Sequence, residues 1–146
     1  MIRRAGKREM PELVRLAWCL WREHSAEELE EELSFIMENE DSCFFLWYEG
    51  ETAVGFAQCQ LRRDYVEGTD SSPVGYLEGI FVTEEHRHRG YAREMLRACE
   101  EWVRKRGCKE FASDCELDNR ESECFHRAMG FQESNRVICF TKKLTS

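Results

Sequence analysis

No apolar stretch in this sequence approaches the roughly 20 residues that a membrane-spanning helix needs. The basic start, Met1 to Leu13, leads into no apolar run and does not read as a secretory signal. Proline is scarce, at two residues, and glycine is modest, at nine of 146, which excludes collagen-like and low-complexity chains. Positive charge is in deficit: 21 basic residues against 29 acidic ones give a net charge of −8. That disfavours nucleic acid or an anionic membrane as partner, because both need a cationic footprint. It suits a cationic small substrate drawn by long-range attraction, and it also serves plain solubility. The phosphate-binding patterns G-x-x-x-x-G-K-[ST] and G-x-G-x-x-G are both missing. Cysteine, by contrast, is plentiful at eight residues, yet no two form Cys-x-x-Cys and no His/Cys cluster has zinc-ligand spacing. No metal is expected.

What remains is 42% hydrophobic and 34% charged, of a length suited to one domain over residues 1–146. The cysteines sit mostly inside apolar patterns, as small buried hydrophobes, and are expected to be reduced thiols in a cytoplasm.

Leu13, Leu16, Ala17, Leu20 and Trp21 recur at helical spacing over 9–23, with Pro11 tolerated in the first turn. Ser25 and Glu28 form a capping box for a second helix, which turns Leu29, Leu33, Ile36 and Met37 inward and a glutamate run outward. Residues 43–49 and 53–61 read as a hairpin about Gly50, and 74–82 as a buried strand with a bulge at Glu78-Gly79. A strong amphipathic helix follows Gly90 and stops at Gly107. A short strand at 109–114, a helix over 119–129 and strand-like text at 131–143 complete the chain, with a further strand at 1–5. The expectation is a mixed α/β (α+β) fold.

The strand, basic turn and helix at 74–103 carry the chemistry. Amides at a helix N-terminus bind phosphate, because they are unsatisfied donors at the positive end of the dipole. Here Arg87, His88 and Arg89 add charge and Gly90 permits close backbone approach. Arg87-His88-Arg89-Gly90-Tyr91-Ala92 matches R-x-x-G-x-A, and the chain resembles the GCN5-related N-acetyltransferases on that motif. Leu77 to Val82 is similar to their splayed central strand, and Asn119, His126 and Ala128-Met129-Gly130-Phe131 to their late helix. Tyr65-Val66, Gly68 to Pro73, Phe111 to Asp114 and Gly130-Phe131 further resemble aminoglycoside 6′-N-acetyltransferases of the chromosomal, homodimeric type.

The resemblance implies a central mixed, mostly antiparallel sheet with one splayed parallel strand pair, flanked by about four helices. It implies acetyl-CoA as co-substrate, held by Ile80, Phe81 and Val82 along the strand, by the turn from Arg87 through His88, Arg89, Gly90, Tyr91 and Ala92 to Arg93, and by Asn119. It implies direct acetyl transfer to an amine, with Glu78 and Asp114 accepting the proton and His126 at the position of a general acid. Trp21, Tyr65, Asp70, Glu78, Asp114, Glu133 and Asn135 would meet an aminoglycoside or other cationic amine. Asn135 stands where an acidic residue is expected. The plainer readings of the same residues are Glu78 as an edge carboxylate pairing an arginine, Asp114 as a strand-end cap, Trp21 as core and Tyr65 as a packed loop aromatic. Acetylation of another polyamine or peptide amine, and non-catalytic acyl-CoA binding, are the competing functions. The chain is expected to act as a homodimer.

Overall fold

Five segments of alternating or continuous apolar character pair into one sheet in a computed structural model that describes residues 1–145. The strands are β1 (Ile2–Arg4), β2 (Ser42–Glu49), β3 (Thr52–Arg62), β4 (Val74–Val82) and β5 (Phe111–Ala112), in that order across the sheet. The β1–β2, β2–β3 and β3–β4 pairs are antiparallel and β4–β5 is parallel. The helices are α1 (Met10–Leu20), α2 (Ala26–Met37), α3 (Tyr91–Lys105) and α4 (Arg120–Ala128). By contacts the chain divides into two units, Met1–Asp114 and the part from Cys115 onward.

In the first unit, α1 and α2 seal one core. Leu13, Leu16, Ala17, Leu29 and Leu33 pack with Phe44, Leu46 and Phe56 of the sheet. The expected capping box is present, with Ser25 accepting from the Glu28 amide and Glu28 accepting from that of Ser25. The glutamates of α2 are exposed, so the run is a solvated face. The buried stripe of α3 is Met95, Leu96, Cys99, Trp102 and Val103, closed by Gly107 at φ 89°. Cys99 reaches Cys59, which lies between Gln58 and Gln60 and so points to the opposite face of β3. Mutual hydrogen bonding and burial raise the Cys43 thiol, and Cys59 is raised as well. All eight cysteines are free.

β4 determines the site. Its register against β3 slips between Gln58 and Cys59, so Glu78 is the extra residue of a bulge, as the Glu-Gly pair in an apolar strand predicts. The slip reverses which residues face outward. Before it, the Gly75 amide and the Leu77 carbonyl turn toward β5, meeting Glu110 O at 3.0 Å and Ser113 Oγ at 3.3 Å. After it, the Thr83 amide bonds Val54 O on the β3 side, so alternation turns the backbone groups of Ile80 and Val82 to the far edge. β5 pairs only Gly75 and Tyr76, and beyond them the parallel strands part.

In the second unit, α4 is capped by Asn119, whose side chain accepts from the Ser122 amide at 3.1 Å. It closes at Gly130, φ 94°. The expectation of strands over 131–143 is corrected here: residues 131–145 carry no regular secondary structure, and 132–145 are exposed. Val137, Ile138, Phe140 and Leu144 are between 68% and 89% exposed. The β-branched and aromatic composition favours a strand, but strand propensity is expressed only against a neighbouring strand.

Candidate acceptor and cofactor site

The turn after β4 is tightly wound. Arg87 Nε donates to the Val82 carbonyl at 2.8 Å, and its guanidinium lies 5.6 Å from the Phe81 ring centre, so Arg87 fixes the strand end. His88 takes φ 64° and Gly90 φ 84°, two left-handed residues within three positions. A Cβ on Gly90 would meet nothing within 4 Å, so open space faces this backbone. The first helical bond of α3 runs from the Glu94 amide to Gly90 O, which leaves the amides of Tyr91, Ala92 and Arg93 ahead of the ladder. Arg89 pairs with Glu49 at 3.0 Å, and Tyr91 stacks on Trp47 with ring centres 4.6 Å apart. Both side chains therefore brace the turn.

Glu78 lines a cleft of about 350 Å³ between β3–β4 and the α1–α2 pair. Trp21, His24, Glu32, Gln58 and Gln60 share the lining, above Leu29, Leu33 and Ile36. Trp21 lies over the bulge: a Cβ on Gly79 would come within 2.9 Å of its indole. Thus Trp21 and Glu78, far apart in sequence, meet in one cavity.

Glu78 is held by Arg62, whose Nε and Nη2 donate to its two carboxylate oxygens at 3.0 and 2.9 Å. Arg62 in turn lies 3.5 Å from the centre of the Tyr76 ring, and the Tyr76 hydroxyl donates to Asp114. Burial, then the bond to Asp114, raises the Tyr76 phenol above its usual range. Burial opposes the Arg62 charge, but its hydrogen bond to Glu78 and the nearby negative groups outweigh this and raise its pKa. The two candidate carboxylates thus belong to one chain of contacts, Glu78–Arg62–Tyr76–Asp114.

Tyr65 and Asp70 are not among the residues that line this cleft. Tyr65 is 77% exposed, and Asp70 is exposed with its amide donating to Glu110. In the second unit, Asn119 caps its helix through its amide oxygen. His126 Nδ1 lies 2.7 Å from the Ser122 carbonyl, so that nitrogen carries the proton. Glu133 pairs with Arg136 at 2.8 Å, and Asn135 accepts from the Arg136 amide. Arg62, Tyr76, His24, Glu32, Gln58 and Gln60 were not anticipated. Only the glutamines carried a signal: two amides at period two inside an apolar strand mark a polar stripe on a buried face.

The sequence pattern of the Acetyltransferase (GNAT) family matches residues 10–131. The chain is 37% identical over 143 residues to the aminoglycoside N(6′)-acetyltransferase type 1 of Acinetobacter haemolyticus, covering 98% of each. It is 37% identical over 142 residues to the enzyme of that name from Salmonella enteritidis, covering 97% of this chain and 98% of that one. Among solved structures, AAC(6′)-Iy in complex with the bisubstrate analog CoA-S-monomethyl-acetylneamine superposes with a TM-score of 0.94 at 36% identity, covering 99% of this chain and 98% of that one. The apo AAC(6′)-IG from Acinetobacter haemolyticus gives 0.95 at 35% identity, covering 99% of each chain. The splayed strand pair, the left-handed turn at Gly90 and these matches agree, and the chain belongs to the Acetyltransferase (GNAT) family.

Proposed function

We propose that the chain, as one acetyltransferase domain over residues 1–146, transfers an acetyl group from acetyl-CoA to the 6′-amine of aminoglycosides. The observation that carries this is the meeting of Trp21 and Glu78 in one cleft beside the parting of β4 from β5. An aminoglycoside needs carboxylates for its ammonium groups and a flat apolar surface for its sugar rings, and this cleft supplies Glu78, Glu32 and Trp21. The relatives that match over nearly the whole chain are named as aminoglycoside N(6′)-acetyltransferases.

The site fits acetyl-CoA. The outward backbone groups of Ile80 and Val82 suit an extended pantetheine arm, and the early amides of α3 beside the open space at Gly90 suit a pyrophosphate. When bound, acetyl-CoA supplies the activated acyl thioester. The chain's task is then threefold. The Ile80 amide, on the open edge of β4, is placed to polarise a carbonyl. The cleft orients the acceptor. Glu78, or Asp114 through water, takes the proton from the ammonium, because only a neutral amine has the lone pair for attack. His126, whose Nδ1 proton is held by Ser122 O, would return a proton to the leaving thiolate through Nε2.

The same reading includes a homodimer in the cytoplasm, where acetyl-CoA is at hand and thiols stay reduced. The exposed apolar side chains at Val137, Ile138, Phe140 and Leu144 support the dimer, since a second chain would bury apolar surface that water now meets. The test is thiol release with a kanamycin-type substrate bearing a 6′-amine against its 6′-hydroxyl analogue. The amine should turn over and the hydroxyl compound should bind without efficient turnover. Equal rates overturn the assignment.

A further inference from the structure

The Arg62 guanidinium forms a two-point bond with Glu78 and rests on the Tyr76 ring, whose hydroxyl bonds Asp114. Arg62 ends β3, and its register partner is Val74, so its side chain must run diagonally across Tyr76 to reach the bulge. That course has a structural reason. The bulge releases Glu78 from the ladder, and a carboxylate on a bulge has a choice of directions unless something holds it. Arginine's planar fork holds both oxygens at once, and the aromatic ring beneath holds the fork in plane. Glu78 is only 17% exposed and Arg62 39%, so water competes weakly for the carboxylate.

We propose that Arg62, seated on Tyr76, is a positioning residue that aims the Glu78 carboxylate into the acceptor cleft and ties it to Asp114; this rests on the acetyl-transfer reading above. A carboxylate has room for four hydrogen bonds, and Arg62 takes two of them. Glu78 thus keeps two lone-pair directions for the acceptor's ammonium group. Arg62 touches neither cofactor nor acceptor in this scheme. It acts through Glu78, so its loss should slow turnover more than it weakens acetyl-CoA binding. Lysine, with a point charge and no fork, should restore only part of the effect.

The experiment measures kcat and KM for a 6′-amino aminoglycoside in wild type, Arg62→Met, Arg62→Lys, Glu78→Gln and the double variant Arg62→Met/Glu78→Gln. Calorimetry of CoA binding is run on each. We expect Arg62→Met to lower kcat/KM by about 10- to 100-fold, mainly in kcat, with CoA affinity changed less than about threefold. Arg62→Lys should lie between it and wild type. The double variant should lose no more than about threefold beyond Glu78→Gln alone, because the arginine acts only through that carboxylate. If the two single losses multiply in the double variant, or if Arg62→Met matches wild type, the positioning role falls while acetyl transfer stands. A drop in CoA binding that tracks the drop in turnover reduces Arg62 to a structural residue and also overturns it. Wild type that binds CoA but acetylates no aminoglycoside overturns the functional reading and this inference together.

Discussion

Two glycines carry testable demands at the residue scale. Gly90 sits at φ 84°, where a side chain is strained, and faces open space rather than a neighbour. Gly90→Val should therefore distort the turn and weaken acetyl-CoA binding by about 1–3 kcal/mol, through lost hydrogen bonds to a charged ligand. Calorimetry with unchanged affinity would remove this turn from the cofactor site. Gly79 is different: its φ is ordinary, but an added Cβ would lie 2.9 Å from the Trp21 indole. Gly79→Ala should push that ring into the acceptor cleft and raise KM for the aminoglycoside by about tenfold, with little change in CoA affinity. Equal effects on both substrates would show that Trp21 is not an acceptor contact. The backbone form of the turn and the bulge was legible in the sequence, because Arg-x-x-Gly and Glu-Gly declare themselves locally. Arg62 was not. Its partner lies 16 positions away across a register slip, and no local pattern marks that diagonal.

The parting of β4 from β5 dominates at the scale of elements. The pair is pinned at Gly75, where a Cβ would fall 2.7 Å from both Phe111 and Val103. Gly75→Ala should overpack the junction of β4, β5 and α3 and destabilise the protein by about 1–3 kcal/mol, read as a lower midpoint in urea. An unchanged midpoint would mean that β5 is free to shift. Elements with strong periodicity or caps were readable from the chain alone. The stripe of α3 and its Gly107 stop, the Ser25–Glu28 box of α2 and the Gly50 hairpin all appear as expected. Edges were less readable: α1 stops at Leu20 rather than continuing to 23, and β5 holds only two residues. The segment 131–143 is not strand in the structure: β-branched and aromatic composition forms a strand only where a neighbouring strand pairs with it.

For the whole molecule, that segment makes the assembly measurable. Apolar side chains at Val137, Ile138, Phe140 and Leu144 are exposed within eight residues of chain. A solution mass near twice 17.3 kDa at micromolar concentration is the expected result, by light scattering or sedimentation. Ile138→Asp with Phe140→Asp should shift it toward monomer, because both side chains are exposed in the single chain and their loss costs its core nothing. A monomeric wild type would sink the dimer. The acidic excess bears on this scale too: a polycationic acceptor should be captured faster at low salt than at high salt.

The open flank of β4 gives the sheet an unfinished side. A cofactor lying there would serve as a removable sixth strand, and strand-like protection would then come and go with it. Amide hydrogens of Ile80 and Val82 should exchange quickly in the free protein and slowly with CoA bound, while that of Phe81, facing β3, should differ little between the two. Thermal stability becomes a property of the metabolite pool: at about 100 times the dissociation constant, the bound form gains roughly 2.7 kcal/mol against unfolding.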